Sequence, residues 1–154
     1  INALSITKND ALWLLVVGRD RDEPRFRAQA RAAGLEARVR FLGPKEDVRP
    51  LYAAADCFML PSRYDPFPNT VLEALAMGLP AIVSSRCGAA EVVEPGVNGW
   101  VCEPDDVAGI ARLLQEADRT VHDGRMGIAA RSTAERYGLD AMAAQLSRLY
   151  ESLK

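Results

Sequence analysis

Two carboxylates separated by seven residues stand out in the segment RYDPFPNTVLEALAMGLP, which runs from Arg63 to Pro80. Asp65 lies in a Pro-rich turn, and Glu73 lies near the start of an apolar helix. Because burial of an unpaired carboxylate is costly, Glu73 needs a partner. The backbone of its own helix and the hydrogen-bond donors of a ligand are the two candidate partners.

The start of that helix is also suited to an anion. Pro66 and Pro68 stiffen the turn and remove two backbone donors. Asn69 or Thr70 is expected to cap the helix, whose first N–H groups carry the positive end of the helix dipole. A helix N-terminus of this kind is an anion site, and phosphate is the anion that we expect there.

Each carboxylate also has a purely local interpretation. The segment TVLE from Thr70 to Glu73 matches a capping box, in which Glu73 would bond back to the Thr70 amide. Asp65 precedes Pro66, a common arrangement in plain turns. The local pattern therefore leaves capping and ligand binding open for Glu73, and a turn role open for Asp65.

The elements that must position these residues alternate between apolar runs and amphipathic segments. The run ALWLLVVG, residues 11–18, is continuous, which predicts a strand that is covered on both faces. Strands are expected at 11–18, 38–43, 56–62, 80–85 and 98–104, and helices at 23–33, 48–55, after 69, at 89–93 and at 107–116. This order predicts an α/β fold with a Rossmann-like, doubly wound parallel sheet and helices on both faces. Ligands of such sheets bind at the carboxyl ends of the strands, where the Asp65 turn begins.

The chain becomes entirely helical from about residue 123. Its last segment carries apolar residues at spacings of three and four, a narrow apolar seam. The seam consists of Leu139, Met142, Leu146, Leu149 and Leu153. We expect most of it to pack on the sheet of this chain, and docking on a further domain is the alternative.

Composition narrows the classes of partner. The 154 residues are 49% hydrophobic, which is enough for one domain with a sizeable core. The formal net charge is −2 and no dense basic run occurs, so nucleic acid is not an expected partner. No long apolar stretch or signal-peptide pattern is present, which favours the cytoplasm.

The cysteines and the histidine do not form a metal-binding pattern. Cys57, Cys87 and Cys102 lack CxxC spacing and are expected to be reduced thiols in or near the core. His122 lies in a polar stretch away from other candidate ligands, and we expect it at the surface. We therefore predict no metal site.

An ordered set of motifs resembles a known family. The chain from Arg63 to Asp106 closely resembles the donor-binding half of retaining glycosyltransferases of the two-domain GT-B type. That family carries two acids separated by seven residues, an aromatic residue after the first, GLP after the helix, G-x-x-E, and x-G-x-N-G before x-P-x-D. The matching residues are Asp65, Phe67, Glu73, Gly78-Leu79-Pro80, Gly88 to Glu91, Gly96 to Gly99, Pro104 and Asp106. LLVVGRD and RVRFLGPKEDVRPLYAAADCFMLPS look like the earlier strands, so the resemblance covers nearly the whole chain.

The resemblance implies a role for each matching position. Glu73 would accept hydrogen bonds from the two ribose hydroxyls of a nucleotide-sugar, and Asp65 would orient the transferred sugar for attack at its anomeric carbon. Backbone amides of the turn would contact the sugar and the diphosphate. The residues of this turn are Phe67, Pro68, Asn69 and Thr70. The nucleotide-sugar is a substrate, so no cofactor is expected, and the family uses no metal.

The nucleobase would lie beside an earlier loop. In the family this loop corresponds to the segment from Leu42 through Gly43 to Lys45.

The family's Arg and Lys that bind the diphosphate belong to a strand that would precede Ile1. We therefore expect residues 1–154 to be the C-terminal donor domain of a longer enzyme, without its first strand and its N-terminal acceptor domain. Arg63 and Arg86 could lie at the crevice or form surface salt bridges.

Two departures from the family pattern affect the expected donor. Asp65 stands where the family mostly has Glu, and Pro68 stands where Gly is commonest. The shorter acid requires a closer or rotated sugar, and Pro68 offers no N–H. The form DPFPN, with CGAAE downstream, looks most like the glucosyltransferases of lipopolysaccharide core assembly.

The function expected is retaining transfer of a hexose from a UDP-sugar, in cell-envelope polysaccharide or lipopolysaccharide synthesis. The alternatives are a Rossmann-like nucleotide-binding module without transferase activity and a purely structural domain. A nicotinamide-dependent enzyme would need a G-x-G-x-x-G turn, which is absent. We expect a cytoplasmic location, with peripheral contact to the inner face of the membrane left open for the missing half.

Overall fold

The computed structural model describes residues 1–153 as seven helices and five strands joined by short loops. In chain order these are α1 (Asn2–Ile6), β1 (Leu14–Val17), α2 (Glu23–Ala32), β2 (Val39–Gly43), α3 (Arg49–Ala54), β3 (Phe58–Leu60), α4 (Asn69–Ala76), β4 (Ala81–Ser84), β5 (Gly99–Cys102), α5 (Val107–Thr120), α6 (Arg125–Arg136) and α7 (Leu139–Ser152). Short 3₁₀ helices occupy Gly88–Val92 and Val121–Asp123. The predicted α/β alternation is confirmed, and the helical C-terminal segment is confirmed with it.

All described strand pairs are parallel, as predicted, but the strands form two sheets. β1 pairs with β2, and β3, β4 and β5 form the second sheet in that order. Within residues 1–153 no ladder joins β1 to β3, so each of these strands is an edge. The predicted parallel pairing is confirmed, and within residues 1–153 it is divided between a two-stranded and a three-stranded sheet.

Strand β4 is the centre of the larger sheet, and all four of its residues are fully buried. On one face, Ala81 and Val83 pack against buried residues of α4 and α6. On the other face, Ile82 packs with Trp100 of β5 and Ile110 of α5. The expected helical cover on both faces of the sheet is confirmed here.

Helix α1 connects the two sheets on one side. Ala3 belongs to the apolar cluster beneath α5, whereas Leu4 belongs to the cluster formed by β1, β2 and α2. The Thr7 carbonyl after α1 accepts a hydrogen bond from Gln115 (3.0 Å), and Asn9 donates to Asp118 (2.9 Å). The two sheets are thus held together through α1 and α5.

Strand β1 is covered on one face only. Leu14 and Val16 pack on the core beneath α1 and α2, but Leu15 and Val17 are each 39% exposed, and Trp13 is 57% exposed. The prediction that both faces of this run are covered is wrong. A continuous apolar run shows that both faces of a strand can be buried, but it does not show what covers them. No element among residues 1–153 covers the second face of β1.

The apolar seam of α7 is also exposed. Leu139 is 79% exposed and Leu146, the least exposed of the five, is 43% exposed. The expectation that this seam packs on the sheet of this chain is wrong. Helical periodicity shows that residues share a face, but it does not identify what the face contacts.

The Asn-Gly turn before β5 has an internal structural role. Asn98 is fully buried and donates through Nδ2 to the Val92 carbonyl (3.0 Å) and to the Thr133 hydroxyl (2.9 Å). Its Oδ1 accepts a hydrogen bond from the Glu94 amide (2.7 Å). One side chain thus joins the 3₁₀ helix, the entry to β5 and helix α6.

We predict that Asn98→Ala lowers the free energy of unfolding by roughly 2–4 kcal/mol, because the buried Val92 carbonyl, the buried Thr133 hydroxyl and the partly buried Glu94 amide lose this partner. Urea unfolding followed by circular dichroism measures this change. Asn69→Ala is the control, because Asn69 is exposed, and we expect less than about 1 kcal/mol for it. Equal losses for the two variants would contradict the structural role of Asn98.

Candidate functional site: the loop after β3 and the start of α4

The loop after β3 is fixed against the turn after β4. The Asp65 amide donates to the Arg86 carbonyl (3.4 Å), and the Asp65 carbonyl accepts from the Gly88 amide (2.9 Å). The backbones are so close that a Cβ atom on Gly88 would overlap the Pro66 carbonyl. Asp65, which is half-buried, is therefore held at the carboxyl edge of the sheet by backbone contacts rather than by its side chain.

Helix α4 begins without a side-chain cap. Pro68 occupies the N-cap position with extended backbone (φ −74°, ψ 121°), and Asn69 and Thr70 are exposed residues of the first turn. The expectation that Asn69 or Thr70 caps the helix is wrong, because the helix already starts at Asn69, one residue earlier than a cap at Asn69 requires and two residues earlier than a cap at Thr70 requires. The first-turn amides therefore have no side-chain oxygen from the N-cap as a partner.

Glu73 does not form a capping box. No side-chain hydrogen bond caps α4, and Glu73 is exposed although Val71, Ala74 and Leu75 beside it are fully buried. Its Oε2 accepts a hydrogen bond from the hydroxyl of Tyr52 (3.2 Å). The capping interpretation is thus wrong, and the carboxylate stands on the solvent side of the helix with a neutral partner.

Tyr52 is the site residue that sequence reasoning missed. It lies on α3, packs edge-on against the ring of Phe58 (centroids 5.9 Å apart, planes at 67°), and its hydroxyl also lies 3.4 Å from the Thr70 carbonyl. Partial burial, followed by the charge of Glu73 and the hydrogen bond to it, raises the pKa of Tyr52 to about 12. The only signal in the sequence was one tyrosine in the otherwise apolar run LYAAA.

The remaining predicted site residues lie on the other sheet. Leu42 and Gly43 are half-buried at the carboxyl end of β2, and Gly43 adopts a left-handed conformation (φ +66°). The Gly43 carbonyl accepts a hydrogen bond from the Gly18 amide after β1 (3.1 Å). Both parts of the predicted site are therefore at carboxyl ends of strands, but they belong to different sheets.

A cavity of about 280 Å³ adjoins the Asp65 loop. Its lining consists of Arg63, Arg86, Glu103, Pro104, Asp105 and Asp106. Arg63 forms a salt bridge with Asp105 (2.9 Å), so the surface salt bridge that was one of the two expectations for this arginine is present. Asp106 accepts a hydrogen bond from the Gly109 amide (2.8 Å), so it is the N-cap of α5.

The cysteines and the histidine occupy ordinary structural positions. Cys87 and Cys102 are buried free thiols, Cys57 is half-buried, and His122 is exposed, as expected. Burial raises the pKa of Cys57 to about 12 and contributes most to raising that of Cys102 to about 11. Within the described residues, no three His, Cys, Asp or Glu side chains are grouped to hold a metal ion. None of the described helices is both long and apolar enough to cross a membrane.

Fold and site together define a Rossmann-like α/β domain of the GT-B glycosyltransferase type, with an acidic loop and an uncapped helix N-terminus at the carboxyl edge of its sheet. The family model described as "Glycosyl transferases group 1" matches residues 1–117. The chain therefore belongs to the group 1 glycosyltransferase family.

The relatives agree with this assignment. The lipopolysaccharide core biosynthesis glycosyltransferase LpsE of Rhizobium meliloti is 35% identical over 68% of this chain and 30% of its own length. The lipopolysaccharide 1,6-galactosyltransferase of Escherichia coli is 33% identical over 75% of this chain and 33% of its own length. Among solved structures, Anabaena HepE in complex with UDP and glucose has a TM-score of 0.86 and 26% identity, covering 98% of this chain and 43% of that chain. The chain thus spans about a third of the length of these curated relatives.

The contacts of Tyr52 predict an unusual ionisation. The pKa of its phenol is raised from 10.0 to about 12. The contribution of this phenol to the free energy of unfolding is therefore present below pH 10 and is lost as the pH rises through 12. The phenolate absorbance of the native chain minus that of Tyr52→Phe should show a midpoint near 12. The free energy of unfolding, measured in parallel, should decline less steeply with rising pH in Tyr52→Phe than in the native chain above about pH 10. A difference midpoint near 10 would show that the partial burial of this phenol and its contact with Glu73 do not persist in solution.

Proposed function

We propose that residues 1–154 are the C-terminal donor-binding domain of a retaining GT-B glycosyltransferase and that they bind a UDP-hexose. The observation that carries the proposal is the position of the Glu73 carboxylate. It is exposed on α4, close to an uncapped helix N-terminus, after a loop that is pinned at the carboxyl edge of the sheet. Family membership and the UDP and glucose of the HepE structure support the same ligand class.

In this proposal the ligand extends along α4. Glu73 accepts hydrogen bonds from the two ribose hydroxyls, since a carboxylate matches a vicinal diol with one oxygen for each hydroxyl. The first-turn amides of α4, at Asn69 and Thr70, face the diphosphate, whose negative charge grows as it departs. Asp65 orients hydroxyls of the hexose, and Phe67 lies on the same turn.

The nucleobase belongs, in the same proposal, beside Leu42 and Gly43. These residues end β2, so the nucleotide would extend from one sheet to the other. We further propose that the first strand of the domain lies between β1 and β3. Both strands have an unpaired edge in residues 1–153, and one parallel strand between them would join the two sheets into one.

The rest of the enzyme completes the reaction in this proposal. An N-terminal domain would present the acceptor and close over the donor, and basic residues before Ile1 would grip the diphosphate without a metal ion. Cell-envelope polysaccharide or lipopolysaccharide is the proposed product class, in keeping with the names of the Rhizobium meliloti and Escherichia coli relatives. The proposed location is the cytoplasm, with peripheral membrane contact through the N-terminal half.

Calorimetric titration with UDP, UDP-glucose, GDP-mannose and ADP-glucose tests donor binding. We expect selective binding of the uridine nucleotides and a loss of about tenfold or more in Glu73→Ala, as expected when a charged hydrogen-bond acceptor is removed. Glu36→Ala is the matched control, because Glu36 is an exposed acid beside α2 whose partner is Arg31. Absence of binding, both in this chain and in a chain extended by its preceding strand, would refute the proposal.

We also predict that residues 1–154 alone transfer no sugar, because the acceptor domain and the diphosphate grip lie outside them. Incubation with UDP-glucose and lipopolysaccharide core acceptors, followed by mass spectrometry of the products, measures transfer. The full-length enzyme under the same conditions is the positive control. Turnover by the isolated chain would contradict the proposed division of labour between the domains.

A further inference from the structure

The hydroxyl of Tyr52 is the only side-chain donor to Glu73 within the described residues. It lies 3.2 Å from Oε2 of Glu73, which is 21 positions later in the chain. A carboxylate accepts hydrogen bonds at about four lone-pair positions on its two oxygens. The bond from Tyr52 occupies one of these positions, so both oxygens keep a free lone pair for a further donor.

Tyr52 is itself held in place on two sides. Its ring packs edge-on against Phe58 at the start of β3, and its hydroxyl lies 3.4 Å from the Thr70 carbonyl in the first turn of α4. Both possible acceptors of the hydroxyl proton, the Glu73 carboxylate and the Thr70 carbonyl, therefore belong to α4. The nearer acceptor is the charged one, and hydrogen bonds to charged groups are the stronger kind.

An exposed glutamate without such a partner would be mobile. Its side chain has several rotatable bonds, and ordering it at a ligand costs conformational entropy. A hydrogen bond from a side chain that is fixed by packing lowers this cost, because the carboxylate is oriented before the ligand arrives. Tyr52 is suited to this task, since its ring is anchored and its hydroxyl is directed at one oxygen.

We propose that Tyr52 is a positioning residue that orients the Glu73 carboxylate for the vicinal diol of the nucleotide ribose. The inference rests on the proposed function, which assigns the diol to Glu73, and it adds a residue of α3 to the site. Tyr52 acts through Glu73 and need not touch the ligand. Its removal should therefore weaken binding only when the ligand has ribose hydroxyls for Glu73 to hold.

Affinities for UDP and for 2′,3′-dideoxy-UDP, measured by calorimetry on the same chain, test this inference. The variants are Tyr52→Phe, which keeps the ring on Phe58 and removes only the hydroxyl, and Glu73→Ala. Tyr137→Phe is the control, because Tyr137 is 48% exposed and lies beyond α6. Thermal unfolding of each variant checks that the fold is retained.

We expect Tyr52→Phe to weaken UDP binding by roughly three- to tenfold and to leave dideoxy-UDP binding unchanged. Glu73→Ala should abolish the preference for UDP, and Tyr52→Phe should have no further effect in the double variant. Tyr137→Phe should bind both nucleotides as the native chain does. This pattern would support the positioning role, because a general structural defect would weaken both nucleotides alike.

The other outcomes separate the two proposals. If Glu73→Ala loses the preference and Tyr52→Phe keeps it, the role of Tyr52 is refuted and the role of Glu73 stands. Equal weakening of both nucleotides by Tyr52→Phe also refutes positioning. If the native chain binds both nucleotides equally, the assignment of the ribose to Glu73 is refuted, and the inference about Tyr52 is refuted with it.

Discussion

The complete burial of β4 is the constraint on which the rest of the structure depends. Its side chains fill both faces of the larger sheet, so α4 and α6 pack on one side and α5 on the other. The register places Leu60, Val83 and Val101 side by side, which makes β3, β4 and β5 end at the same edge. Beyond that edge, the buried hydroxyl of Ser84 donates to the Ser62 carbonyl and ties the exit of β3 to the end of β4.

The candidate site is built on the packed sheet around β4 and remains accessible to solvent. The loop that carries Asp65 is bound to the turn after β4 by backbone hydrogen bonds, and the small size of Gly88 permits the close approach. Helix α4 buries one face in the core and presents Glu73 on the other. Functional groups on a well-packed scaffold can meet a ligand in nearly fixed positions, which limits the entropy lost on binding.

Two apolar surfaces remain uncovered among residues 1–153. They are one face of β1 and the seam of α7. Each groups several exposed apolar residues, whereas single exposed apolar residues are ordinary at a protein surface. Each of the two sheets has its own apolar cluster beneath it.

Local sequence alone determined the order and type of the elements, because apolar periodicity, Gly and Pro act within a few residues. It also indicated the acidic loop and, through ordered motifs, the family. The partner of Glu73 was decided by tertiary structure, since Tyr52 reaches it from 21 positions away on another helix. The open face of β1, the exposed seam of α7 and the separation of the sheets were decided in the same way, because burial and strand pairing depend on neighbours that are distant in the chain.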